Sequence, residues 1–158
     1  LFQDEGFGLA LQICKWEAFA VAVQDLILII EADHRDDLPA DPARRARVLG
    51  ELYREVLASE EIPGHRADKG WSDVIAEFDA RLEVYMSKPP LKPDAISIAT
   101  AMRLLDHAPI DKAVREADQI MVVNNVAFRF IDYQATLRKR IDLDAFAVQL
   151  AERMAAPS

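Results

Sequence analysis

Three histidines and their acidic or basic neighbours carry the chain's nearest approaches to a catalytic pattern. Glu31 and His34 form an E-x-x-H pair, the spacing that aims a carboxylate and an imidazole at one metal ion in helical bundles. A di-iron bundle needs two such pairs and two further glutamates, and no second E-x-x-H occurs here. Glu31, Asp33, His34, Asp36 and Asp37 therefore read as a solvated helix end rich in capping carboxylates, and no metal is expected. Arg103 and His107 stand one helical turn apart, a spacing that sets a cation beside a potential general base. His107 close to a helix C-terminus reads more simply as a complement to the helix dipole. His65, in a Pro-Gly loop, has no partner near it in sequence. There is no G-x-S-x-G, no Gly-rich phosphate loop and no H-E-x-x-H. No catalytic residue and no cofactor is assigned, and whether the chain is an enzyme stays open.

A second group of polar residues stands out against apolar surroundings: Asp25, Asn124, Asn125, Arg129 and Asp132. A buried carboxylate such as Asp25 needs a partner, because an unpaired charge costs several kcal/mol or is neutralised by a raised pKa. Either Asp25 or Asp132 pairs with Arg129, or the group lines a pocket with Trp16, Phe128 and Tyr133, where Arg129 would hold an anion and Asp25 would act as a base.

The elements that must position these residues are helices. Gly numbers 5 in 158 residues, hydrophobic residues make up 51%, and long stretches run without a breaker. Such a chain can bury about 70% of its extended surface as one domain over 1–158. The first helix runs from about Leu9 to Ala32, apolar nearly all round, with Glu17, Gln24 and Glu31 recurring every seven residues on one stripe. Asp41 caps a second helix from Pro42 to Glu60, whose arginines lie mostly outside. The segment from Ile62 to Gly70 is the best candidate for a mobile loop. Ser72 caps a third helix and Asp94 a fourth, which ends at Pro109.

A fifth and longest helix, Ile110 to Arg140, is apolar from Ile120 to Ile131 apart from Asn124, Asn125 and Arg129. That pattern belongs to a buried helix. Asn124 falls on the stripe Val114, Ala117, Met121, Phe128 and Ile131, where one amide can fix register or oligomer state. Asn125, Arg129 and Asp132 form a separate, ion-paired face. The cations Arg138, Lys139 and Arg140 complement the helix dipole, and Asp142 or Asp144 opens a sixth helix. The expected fold is thus an all-α, single-domain bundle of about six helices, with the apolar first and fifth helices forming its core or an oligomer interface.

A formal charge of -8 disfavours nucleic acid and anionic membrane surfaces as partners. Cys14 alone permits no intramolecular disulfide, suits a reducing cytoplasm and reads as a packing residue. The apolar run from Ala18 to Ile30 is about two-thirds of the ~20 residues needed to span a bilayer and contains Gln24 and Asp25. The start at Leu1 reads as processed or trimmed, with no signal peptide.

The end of the chain, LRKRIDLDAFAVQLAERM, superficially resembles the opening helix of helical chorismate mutases. Asp142 and Asp144 are spaced one residue too close, and no room remains for the downstream helices. Residues 74–132 are similar to the C-terminal part of alkylhydroperoxidase-like (carboxymuconolactone decarboxylase-like) proteins. FDARLEVYM, the connector KPPLKPD, a short helix, the turn HAPID and a helix bearing Asn125, Arg129 and Asp132 follow that family's order, with Phe128 where a second Asn is usual. The resemblance implies an all-α, oligomeric fold. It does not bring the peroxidase chemistry, because the C-x-x-C followed by His is absent: Glu17 stands where a second thiol would fall after Cys14.

Two functions are expected from these residues. The first is an oligomeric helical regulatory or protein-interaction protein, most simply a homodimer. The alternative is a small-molecule enzyme or ligand-binding protein with its pocket between the first and fifth helices.

Overall fold

The computed structural model describes residues 5–140 and 142–156; the side chains at 137, 138, 140 and 143 lie outside that description, and with them the expectation for Arg138 and Arg140. The described chain is all-α. Six substantial helices, α1 (Glu5–His34), α2 (Pro42–Ala58), α3 (Ser72–Met86), α5 (Ile98–His107), α6 (Lys112–Arg140) and α7 (Leu143–Ala155), are joined by short turns and by the four-residue α4 (Pro93–Ile96).

The central element is α1. Its residues Ala20, Ile27, Leu28 and Ile29 meet Leu49, Tyr53 and Leu57 of α2 and Val74, Phe78 and Leu82 of α3 in one core, closed at one end by Leu150 and Met154 of α7. The Tyr53 and Phe78 rings meet edge-on at 4.7 Å between centroids, a preferred aromatic geometry. As expected, Asp41 caps α2 by accepting from the Ala43 N–H at 3.0 Å, with Pro42 at the first helical position, and Asp142 caps α7 through Ala145 N–H at 2.9 Å.

Three local expectations are corrected. The third helix starts after Trp71, and Ser72 spends its hydroxyl on the Lys69 carbonyl at 2.9 Å. The segment from 62 to 70 is pinned rather than free. It forms a 3-10 turn over Gly64–Arg66 whose Arg66 is 1% exposed, and Gly70, at φ 54°, supplies the left-handed residue that turns the chain into α3. The expected fourth helix is interrupted at Ser97 into α4 and α5.

The largest difference concerns α6. Within the single chain it is not enclosed: Ile120 is 77% exposed, Phe128 68% and Met121 55%. Only its opposite face, with Val122, Val126 and Phe130, is partly covered. The apolar surplus that suggested a buried helix is real, but the described residues supply no cover for it. No described helix is long and apolar enough to cross a membrane.

Candidate functional site: a paired interior and an open helix face

The seven-residue stripe of α1 turns inward. Glu17, Gln24, Asp25 and Glu31 are all buried, between 0% and 4% exposed, and each carboxylate is answered by arginines brought from elsewhere in the chain. A buried charge persists only with such partners.

At the first level, Glu17 Oε1 accepts from Arg66 Nε at 2.8 Å and Oε2 accepts from Arg66 Nη2 at 2.6 Å. This two-pronged geometry suits the planar guanidinium. His65 Nε2 lies 3.0 Å from Glu17 Oε1, Arg103 Nη1 3.4 Å from Oε2, and His107 Nε2 4.0 Å from Oε2. Arg66 is held further by Asp73 at 2.6 Å and stacks over the Trp71 ring at 4.9 Å. Arg103 also reaches Glu77. Burial works to raise the Glu17 pKa, but hydrogen bonds from Arg66 and His65, with the charge of Arg66, outweigh it and hold the carboxyl below its ordinary value. Burial pushes the nearby Cys14 thiol up; the thiol donates to the Leu104 carbonyl across 3.6 Å, which agrees with a packing role.

At the second level, Asp25 Oδ2 accepts from the Thr100 N–H at 3.1 Å and the Thr100 hydroxyl at 2.6 Å. Oδ1 faces Arg81 Nη2 at 2.6 Å as a close ion pair. Thr100 lies in the first turn of α5, so a carboxylate from another helix satisfies an N–H that has no intrahelical acceptor. Arg81 donates in turn to the Ile96 carbonyl at the end of α4, at 3.1 Å. The break at Ser97 is thus held from both sides. Beside it, Gln24 donates to Tyr53 at 3.2 Å and to the Val74 carbonyl at 3.1 Å. Tyr53 donates to the Ala20 carbonyl at 3.0 Å, and burial, the first cause, pushes its phenol up to about 12.

At the third level Glu31 takes two bonds from Arg35, at 2.8 and 2.7 Å, and faces Arg45 Nε at 3.3 Å. Arg35 also donates to the Lys88 carbonyl at 2.5 Å and lies over the Tyr85 ring.

These placements correct several expectations. Asp25 pairs with Arg81 and Thr100, not with Arg129, and it is fully buried. Glu31 belongs to the buried interior rather than to a solvated helix end, and Arg45 lies inside with it, 5% exposed. His65, without a partner near in sequence, finds Glu17 across 48 residues. Among the described residues no cluster of His, Cys, Asp and Glu is arranged to hold a metal ion.

Asn124, Asn125, Arg129 and Asp132 are all exposed on α6. Among the described residues Arg129 makes no ion pair with Asp132, so the expected ion-paired face is not formed. Arg129 stands instead on a groove of about 330 Å³ between α1 and α6, with Phe19, Ala22, Val23, Leu26, Phe130 and Tyr133. The groove lies between the two helices anticipated from sequence, with Phe130 in place of Phe128, and without Asp25 or the two asparagines.

On the outward face of α6, Val114, Ala117, Met121, Asn124, Phe128, Ile131 and Ala135 follow one another at alternating steps of three and four. Every one of them is exposed. The step pattern is a heptad repeat, 3.5 residues per turn, whose stripe is the contact seam of a coiled coil. The stripe with Asn124 at its middle was legible in the sequence; what sequence reasoning missed is that it lies open on the surface of the single chain.

No family model, curated protein or solved structure matches the chain.

Proposed function

We propose that the protein works as a self-assembled helical interaction protein, in which α6 of one copy pairs with α6 of a second through the heptad stripe from Val114 to Ala135. The single observation that carries this reading is the exposure of all seven stripe positions on a 29-residue helix. At 1.5 Å per residue the helix is about 43 Å long. Large contiguous apolar surface of this kind mostly marks an interaction site.

The polar residue in the stripe argues for a second copy as the occupant. In a parallel pair Asn124 meets Asn124 of the other chain, so each amide has a hydrogen-bonding partner, the arrangement by which one polar layer sets register. The flanking acids favour the same direction: in a parallel pair Asp118 and Asp132 face Ala113 and Ala127 of the other copy, whereas an antiparallel pair sets Asp118 against Asp132.

Light scattering on the purified chain tests it. A dimer at micromolar concentration is expected, converted to a monomer of unchanged helicity by Phe128→Glu. A wild-type monomer at that concentration overturns the proposal.

The groove between α1 and α6 supports a second reading, a small-molecule site. Its walls are aromatic and aliphatic, and Arg129 and Tyr133 supply a cation and a hydroxyl, the usual composition of such sites. This site would select an apolar anion.

A further inference from the structure

We infer that the groove beside His65 binds a small aromatic molecule bearing a neutral hydroxyl donor, a phenol in the simplest case, with the imidazole of His65 as its hydrogen-bond acceptor. The groove, of about 500 Å³, is separate from α6 and independent of self-assembly. Leu9, Ile13 and Trp16 form one stripe of α1 along one wall, and Pro63, Gly64 and His65 form the other, with Gln12 and Glu61 also lining it.

The tautomer of His65 follows from its neighbour. Glu17 is held ionised by the two-pronged Arg66 contact, and an ionised carboxylate only accepts hydrogen bonds. The contact between His65 Nε2 and Glu17 Oε1 at 3.0 Å therefore requires the proton to sit on Nε2. In the neutral ring that leaves Nδ1 with a lone pair, on a ring that lines the groove and whose tautomer is fixed from behind, the arrangement that a second carboxylate partner gives a histidine.

The rest of the lining narrows the ligand. Leu9, Ile13, Trp16 and Pro63 offer apolar and aromatic surface to a ring. Glu61 opposes a carboxylate or other anion by like charge, whereas a phenol is neutral and carries the donor that Nδ1 needs. The Trp16 ring is itself fixed, edge-on to Phe19 at 5.7 Å and against Trp71 at 6.2 Å, so this wall is formed before a ligand arrives.

Calorimetric titration of the full chain with 4-methylphenol and with 4-methylanisole, which has the same ring but no O–H, tests the inference. The phenol is expected to bind at least about tenfold more tightly, the discrimination that one hydrogen bond to a well-placed acceptor provides. His65→Phe should abolish that discrimination. Leu9→Glu, at a side chain 64% exposed, should weaken phenol binding without altering the melting temperature. Equal affinity for the two probes, no saturable binding of the phenol, or discrimination that survives His65→Phe overturns the inference. If His65→Phe does not fold, Leu9→Glu decides: undiminished phenol binding there overturns it as well.

Discussion

Asp25 and Thr100, 75 residues apart, are joined through both polar groups of the threonine: Asp25 Oδ2 takes the backbone N–H at 3.1 Å and the hydroxyl at 2.6 Å. The contact explains why the chain from Pro93 to His107 is two helices. A helix interrupted at Ser97 exposes new N–H groups, and a buried carboxylate on α1 takes one of them while Arg81 attends to the carbonyl side of the break. Removing the carboxylate strands Arg81 and the Thr100 N–H together. Asp25→Ala is expected to cost about 3–5 kcal/mol in chemical denaturation, and Thr100→Val, which keeps the N–H bond, about 1–2 kcal/mol. Equal costs for the two would show that neither the backbone cap nor the Arg81 pair adds to the hydroxyl bond.

Glu17 and Asp25 should affect acid stability in opposite senses. The Glu17 pKa is lowered in the folded chain, so its stabilisation is complete above the ordinary glutamate value and is lost as pH falls through the folded value. Asp25 is raised, burial outweighing Arg81 and Thr100; its protonation is easier in the folded chain, so stability is gained as pH falls through that raised value. Asp73, held well below the usual range against the cost of burial by Lys69 and Arg66, acts in the same sense as Glu17 and at lower pH. Denaturation followed from neutral pH downward should show Glu17→Gln less stable at neutral pH and with a shallower decline below about pH 4. A decline as steep as the wild type's would remove Glu17 from the acid transition.

The helical fold was legible because it depends on local signals: few glycines, unbroken apolar periodicity, and caps such as Asp41-Pro42 and Asp142. The seven-residue spacing of Glu17, Gln24 and Glu31 also marked a true stripe. Its direction was not legible. A stripe of carboxylates on a helix looks solvated until the arginines that answer it are known, and although Arg35 answers Glu31 from four residues on, Arg66 and Arg103 reach Glu17 from 49 and 86 residues away. The long helix misled for a related reason. Hydrophobicity reports that a face avoids water, but not whether the same chain or another molecule covers it.

Arg129 separates a binding role from a structural one. It is exposed and makes no ion pair among the described residues, so nothing buried depends on its charge. Arg129→Met should leave the denaturation midpoint within about 0.5 kcal/mol of the wild type. If the groove between α1 and α6 takes an apolar anion, the same change should abolish the binding of a probe such as 1-naphthoate by calorimetry. Marked destabilisation would reveal a structural contact and sink the ligand reading.

Asn124 gives the last test, because its effect on stability and its effect on specificity should diverge. An amide at the centre of an apolar seam weakens the pairing of two helices but penalises every register and oligomer in which it lacks a partner. In the single chain Asn124 is exposed and makes no side-chain hydrogen bond among the described residues, so replacing it removes none. Asn124→Ile should therefore tighten self-association and raise the concentration-dependent melting temperature. It should also broaden the assembly, with trimers or tetramers beside dimers in sedimentation velocity. Asn124→Asp should have the opposite effect, setting two carboxylates face to face and pushing the equilibrium toward monomer as pH rises above the aspartate range. If Asn124→Ile leaves both the affinity and the size distribution unchanged, the stripe from Val114 to Ala135 is not the surface through which the chains meet.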